Sequence, residues 1–275
     1  IEEGFEISPE DKADVLDMNA YWRDLNLVTC MGKQFDDRLW PFMQSGMILP
    51  PWKSRETGSG GGYAESGMGL GPGFFLMTVD FELVLSKGLE GLMEAASAEL
   101  ARLDRATQAD KVDYLEAVLI SLRAVINFAV RFADLADELV QTSTDPTRAA
   151  ELRAIADICR RVPAQPARNF REAMQSFWFL FLMITPSPTA SLGRFDQYMY
   201  PFYQRDANAG AIDEEQVLEL LQCLPIKDMQ LNRTSDKQAR QKNAGMAKWH
   251  NMTIGGVKPD GDDATNEMSY LIIEA

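Results

Sequence analysis

The residues able to make and break bonds in this chain are few and far apart. Cys30, Cys159 and Cys223 are its thiols, and His250 is the one imidazole in 275 residues. Three scattered cysteines without a CxxC pair suggest neither a disulfide framework nor a zinc site. They read as reduced thiols, two of them on helices. A lone histidine excludes HExxH chemistry and any multi-histidine metal centre, leaving one Ser-His or Cys-His pair as the arithmetic limit. His250 sits in 248-KWHNMTIGG-256, just ahead of a strand-like run. It reads as a hydrogen-bonded structural residue rather than a catalyst.

The densest polar and aromatic stretch is 185-TPSPTASLGRFDQYMYPFYQRDANAG-210. Residues 185–191 leave one apolar helix and open another, so they are placed to line a pocket. In 193-GRFD-196 the spacing lets Arg194 and Asp196 form a buried ion pair that pins a helix start, with Phe195, Met199 and Phe202 on the core face. The glycines of 58-GSGGGYAESGMGLGPG-73 lack the Gly-Lys-Ser/Thr ending of a Walker loop and the offsets of a dinucleotide fingerprint, so close backbone passage is the plainer reading. Asp260, Asp262 and Asp263 do not fit a calcium loop and read as a turn leading to a helix cap.

The elements that must position these residues are mostly helices. Ser8-Pro9-Glu10-Asp11 predicts a capped helix from Pro9 to Leu27, with Val15, Met18, Tyr21, Trp22 and Leu25 on its apolar side. Helical periodicity resumes after Asp80 with Phe81, Val84, Leu85, Leu89, Leu92 and Met93 on one face. A long helix is expected over 108–140, with shorter ones over 146–161, 169–184, 194–208 and 213–223, the last capped by Asp213 with Gln216 three residues on. Strand signals are limited to 74-FFLMTV-79 and 251-NMTIGGV-257.

A formal net charge of −14 leaves no basic footprint for nucleic acid and opposes binding to an anionic membrane. The run 177-FWFLFLMI-184 is too short to cross a bilayer, and the start lacks a signal-peptide pattern, so the expected location is the cytoplasm. A start at Ile1 and a last helix without a stop signal point to a fragment.

Four stretches together carry a resemblance: 169-NFREAMQSFWF-179, 191-SLGRFDQYMYPFYQRDANAG-210, 214-EEQVLELLQCLPIKDMQ-230 and 253-TIGGVKPDGDDATNEMSYLIIEA-275. With 79-VDFELVLSKGLEGL-92 as a weaker fifth, they resemble the glycyl radical enzymes, relatives of pyruvate formate-lyase. The resemblance implies an α/β fold, the first half of a ten-stranded barrel wrapped in helices, with residues 1–275 a partial pyruvate formate-lyase-like domain. It implies a backbone glycyl radical, installed by an activating enzyme with S-adenosylmethionine and an iron–sulfur cluster, that is relayed to a cysteine thiyl. Both radical loops are expected beyond Ala275. None of Cys30, Cys159 or Cys223 matches the thiyl context, and no bound metal is expected. The fragment alone is expected to be inactive.

Two departures from the family pattern bear on substrate. Leu76 stands where diol- and choline-processing relatives carry a histidine, and Pro188 and Thr189 stand where they carry histidine and serine. Gly193, Arg194, Asp196 and Gln197 match the shared structural motif. A pocket stripped of hydrogen-bonding groups leaves each hydroxyl of a polyol unpaired at about 1–3 kcal/mol and favours a hydrocarbon. The chain is similar in this respect to the catalytic subunit of the fumarate-adding synthases, benzylsuccinate and alkylsuccinate synthase. This implies a hydrocarbon such as toluene and fumarate as substrates, small accessory subunits and a homodimer. An arylacetate decarboxylase of the same family and a radical-free scaffold are the alternatives.

Overall fold

A computed structural model describes residues 7–23, 25, 36–39, 41, 42, 45, 47, 77–184, 190–231 and 250–275. The chain divides into two compact units, Ile1–Phe74 with Thr234–Ala247, and Phe75–Arg233 with Lys248–Ala275. The glycine-rich stretch 58–73 lies outside the described residues.

In the first unit, helix α1 spans Pro9–Trp22 and a 3-10 turn spans Asp37–Leu39. Ser8 caps α1, its hydroxyl oxygen accepting the Asp11 N–H at 3.0 Å, and Pro9 takes the first helical position. The helix stops at Trp22, short of Leu27, and none of its residues is buried. Val15, Met18, Tyr21 and Trp22, expected to form its apolar side, are exposed.

The second unit contains α2 (Phe81–Leu100), α3 (Arg105–Thr142), α4 (Pro146–Arg161), α5 (Phe170–Ile184), α6 (Phe195–Asn208), α7 (Glu214–Gln230) and α8 (Glu267–Glu274). Its strands are β1 (Met77–Thr78), β2 (Ala190–Arg194) and β3 (Asn251–Thr253). They pair in the order β1-β2-β3, and both pairings are parallel. Parallel neighbours need crossovers, which α2 to α5 supply between β1 and β2, and α6 and α7 between β2 and β3. Aspartate caps fix the helix starts: the side chains of Asp80, Asp104, Asp145 and Asp213 each accept a first-turn N–H. This satisfies backbone donors that have no intrahelical partner.

Three departures from the periodicity have physical causes. Helix α2 breaks at Gly88, whose φ of +69° is costly for any residue with a Cβ. A Cβ there would lie 2.5 Å from the Ala164 carbonyl oxygen. The interrupted ladder is satisfied from outside, as Leu89 and Glu90 donate to the Pro163 and Ala164 carbonyls at 2.9 Å. Helix α7 continues through Pro225 to Gln230, seven residues past the expected end, held on its inner side by buried Val217, Leu221 and Leu224. On the later part of α3 the buried line is Ala129, Ala133 and Ala136, whereas Phe132, Leu135 and Leu139 are exposed. Small side chains let α3 approach α4, whose Leu152, Ala156 and Cys159 complete that cluster with Phe179 of α5.

The main core is aromatic. Phe177 of α5 lies 4.8 Å from Phe81 and 5.1 Å from Phe195, ring centre to ring centre, and stacks on Phe181 at 5.7 Å. All four phenylalanines are at most 1% exposed. Burying a side chain of this size stabilises by about 2–3 kcal/mol. The core therefore holds α2, α5 and α6 against one face of the short sheet, where Leu192 and Met252 join it.

Candidate functional site at the strand ends

The motif at residues 193–197 makes the turn from β2 into α6. Opposite β3, β2 carries one extra residue between Ser191 and Gly193, a bulge that Gly193 accommodates with φ of +67°. The Gly193 N–H donates to Ser191 Oγ at 3.1 Å, and Ser191 Oγ donates to the Asn251 carbonyl at 3.2 Å. The bulge thus carries its own hydrogen bonds across to β3.

Asp196, fully buried in the first turn of α6, reaches the chain that follows β3. Its Oδ2 accepts the Gly255 N–H at 2.6 Å and the Ser269 hydroxyl at 2.5 Å. Ser269 also belongs to the capping box of α8, in which Asn266 and Ser269 satisfy each other's backbone N–H. Asn266 Nδ2 adds a donation to the Asp196 carbonyl at 3.4 Å, and Gln197 Nε2 donates to the Ala264 carbonyl at 2.8 Å. One carboxylate and two amides thereby lock the start of α6 to the start of α8.

Arg194 does not pair with Asp196. The expected buried ion pair is replaced by two separate grips on one residue: Arg194 is exposed and its Nη2 donates to the Gly255 carbonyl at 2.8 Å, while Asp196 takes the Gly255 N–H. The reason is local geometry. Gly255 and Gly256 have φ of +65° and +89°, turning the peptide so that both ends face β2 and α6. A Cβ on Gly256 would meet Arg194 Nη2 at 3.6 Å, so the guanidinium lies flat against this glycine pair.

A second buried charge sits at the start of α5. Glu172, 1% exposed, accepts from the Arg168 N–H at 2.7 Å and from Arg168 Nη2 at 2.6 Å, and lies 3.4 Å from Arg161 Nε. Burial alone raises its pKa, but the Arg168 hydrogen bonds and the charges of Arg168 and Arg161 outweigh it and hold the carboxyl below its ordinary value. Asn169 accepts the Glu172 N–H at 2.8 Å, and Asp206 of α6 accepts the Phe170 N–H at 2.6 Å. These contacts account for Asn169 and Glu172 in 169-NFREAMQSFWF-179.

His250 immediately precedes β3. Its Nδ1 lies 2.7 Å from Asp228 Oδ1 and its ring stands edge-on to Phe181 at 5.1 Å. The histidine joins the end of α7 to the sheet, as a hydrogen-bonded structural residue does. The aspartates 260–263 form a turn: the Asp262 N–H donates to Asp260 and the Thr265 N–H to Asp263, with Asn266 capping α8. Cys159 is buried on α4, and burial pushes its thiol up to about 11 against a partial offset from Arg160. Cys223 is exposed on α7. Cys30, Leu76, Pro188 and Thr189 lie outside the described residues.

The hydroxyl and carboxylate that meet in this junction, Ser269 and Asp196, are both buried and are engaged with backbone N–H groups. What it does is fix the relative positions of strand ends and helix starts through buried, directional hydrogen bonds. Among the described residues no three His, Cys, Asp or Glu side chains gather as metal ligands, and no helix is long and apolar enough to cross a membrane.

A family model for pyruvate formate lyase-like proteins matches residues 1–275. The chain belongs to that family, the glycyl radical enzymes. An isethionate sulfite-lyase of Oleidesulfovibrio alaskensis is 41% identical over 204 residues, covering 71% of this chain and 25% of its own. A structure solved for 1,2-propanediol dehydration in Roseburia inulinivorans is 34% identical, with a TM-score of 0.77 over 98% of this chain and 31% of that one. A glycyl radical enzyme of Archaeoglobus fulgidus is 30% identical, with a TM-score of 0.74 over 98% and 33%. The chain thus spans about a quarter to a third of the length of these relatives.

Family membership is the coarser part of the expectation from sequence. The named relatives above are a sulfite-lyase and a structure solved for diol dehydration, and fumarate addition is carried by neither name. The described sheet has three parallel strands, and the ten-stranded barrel is not displayed by it. Cys159 packs with Ala129, Ala133 and Ala156 where α3 meets α4, and Cys223 is exposed on α7.

The signals that sequence reading missed are short. β2 was masked by 191-SLG-193, which has no alternation to read, and its strand character comes from pairing on both sides. Ser269 was legible only as a helix residue. Its bond to Asp196 spans 73 positions and has no local signature.

Proposed function

We propose that the chain is part of a glycyl radical lyase that acts on a small organic substrate other than a polyol. The observation that carries this reading is the β2-α6 junction: Gly193, Arg194, Asp196 and Gln197, the residues that match the family motif, tie the start of α6 to Gly255 and Ala264 by hydrogen bonds. Just ahead of it, Pro188 and Thr189 replace the histidine and serine of diol-processing relatives. The complete enzyme carries the thiyl cysteine and the radical glycine, and its partner is a radical-installing enzyme using S-adenosylmethionine and an iron–sulfur cluster. The radical supplies hydrogen-atom abstraction; the residues of this chain hold the frame that keeps the site dry and the substrate in place.

Two substrate readings follow from different observations. Cleavage of a sulfonate such as isethionate is favoured by 41% identity to an isethionate sulfite-lyase. Addition of a hydrocarbon such as toluene to fumarate is favoured by Leu76, Pro188 and Thr189, which remove polar handles. The test is the complete, anaerobically activated enzyme offered isethionate, toluene with fumarate, an arylacetate, or 1,2-propanediol. Sulfite release supports the first reading and a succinate adduct the second. Carbon dioxide from the arylacetate or dehydration of the diol overturns both.

A further inference from the structure

The two faces of the three-stranded sheet are chemically unlike. Leu192 and Met252 turn toward the helices and join the core. Thr78, Ser191 and Asn251 are paired in register across the three strands, and laterally paired residues point to the same side. Thr78 and Asn251 are exposed. Of the three side chains, Ser191 is spent on the bulge, accepting from the Gly193 N–H and donating to the Asn251 carbonyl. The Thr78 hydroxyl and the Asn251 amide flank it as donors on the open face. The one charged residue of the described strands is Arg194, paired in register with Thr253, and these strands carry no acid. Its Nη2 is held by the Gly255 carbonyl, so it contributes a positive field to this face rather than a mobile hand.

We propose that this open face is a substrate-binding wall that takes an oxyanion group, a carboxylate or a sulfonate, with Thr78 and Asn251 as its hydrogen-bond donors. Neutral donors beside a fixed cation suit an anion, and the absence of acids from these strands removes the complement an ammonium group would need. The proposal rests on the glycyl radical lyase reading and narrows it: the substrate, or one of two substrates, carries an anionic end that Thr78 and Asn251 hold.

The test is calorimetric binding to the complete, unactivated enzyme, with isethionate, fumarate and neutral 1,2-propanediol as probes, followed by turnover after activation. Thr78→Val and Asn251→Leu each remove one donor and should weaken binding of the preferred anion about tenfold. Asn251→Asp, nearly isosteric, should weaken it about a hundredfold by adding like charge. In turnover, KM should rise with kcat nearly unchanged. Isethionate bound and fumarate refused identifies a sulfonate wall; the reverse identifies a carboxylate wall. Failure of the wild-type enzyme to bind either anion overturns the proposal, as does unchanged anion binding in all three variants with a native thermal transition. Anion binding without turnover of any substrate would instead keep the wall and remove the lyase reading.

Discussion

Asp196 accepts the backbone N–H of Gly255 at 2.6 Å across 59 positions of sequence, and Arg194 takes the carbonyl of the same glycine. The two charges therefore do different work. Asp196→Ala leaves the Gly255 N–H and the Ser269 hydroxyl without their acceptor in a buried place, at about 1–3 kcal/mol each. Arg194→Ala removes one charge-assisted bond at an exposed side chain and should cost about 1–2 kcal/mol, less than the roughly 3–5 kcal/mol that breaking a buried ion pair would require. Urea unfolding of the complete enzyme measures both. A larger loss for Arg194→Ala than for Asp196→Ala would restore the ion pair.

Gly88 separates conformation from space. Alanine there meets the Ala164 carbonyl at 2.5 Å in addition to adopting a positive φ. Alanine at Gly210, whose φ is +63°, meets nothing within 4 Å. Gly210→Ala should cost about 1–2 kcal/mol from backbone strain alone, and Gly88→Ala at least ~3 kcal/mol, since the 163–164 turn must move as well. Equal shifts of the unfolding midpoint would show that the turn gives way freely.

Glu172 makes stability fall in acid. Its folded pKa is depressed by Arg168 and Arg161 despite burial, so the unfolded chain takes up a proton first. That contribution is complete above the ordinary value of 4.5 and is lost as pH falls through the lower folded value. Glu172→Gln should be less stable at pH 7 and should lose less on going from pH 5 to pH 3. Parallel stability curves for the two proteins over that interval would refute this.

Thiol reactivity should split the two described cysteines. With its thiol pushed up to about 11 and 3% exposure, Cys159 should resist iodoacetamide at pH 8 in the folded enzyme, while exposed Cys223 is alkylated. Peptide mass spectrometry before and after denaturation checks it. Rapid labelling of folded Cys159 would mean that the α3-α4 packing opens.

Much of the fold is legible in the sequence because its causes are local. Aspartate caps, Pro146 after Asp145 and the spacing of Phe81, Val84, Leu85 and Leu89 each act within a turn or two of helix. The same local rules misjudged α3 and α7. Periodicity cannot tell which of two apolar lines faces inward, and Ala129, Ala133 and Ala136 won because only small side chains let α4 come close. A proline signals a stop, yet α7 runs through Pro225 because packing of Val217, Leu221 and Leu224 outweighs one missing hydrogen bond.

By itself the sequence determined the family, through the order and content of its motifs, and the roster of residues in them. Gly193, Arg194, Asp196 and Gln197 could be named without coordinates. Which partners they choose was decided only by the tertiary structure. Arg194 and Asp196 lie two positions apart and carry opposite charges, so pairing looks natural in one dimension. In three, the Gly255-Gly256 turn and Ser269 arrive from about sixty to seventy positions away and offer Asp196 two donors and Arg194 a carbonyl. A buried carboxylate is held best by donors aimed at it from a fixed backbone, and only the folded chain brings such donors within reach.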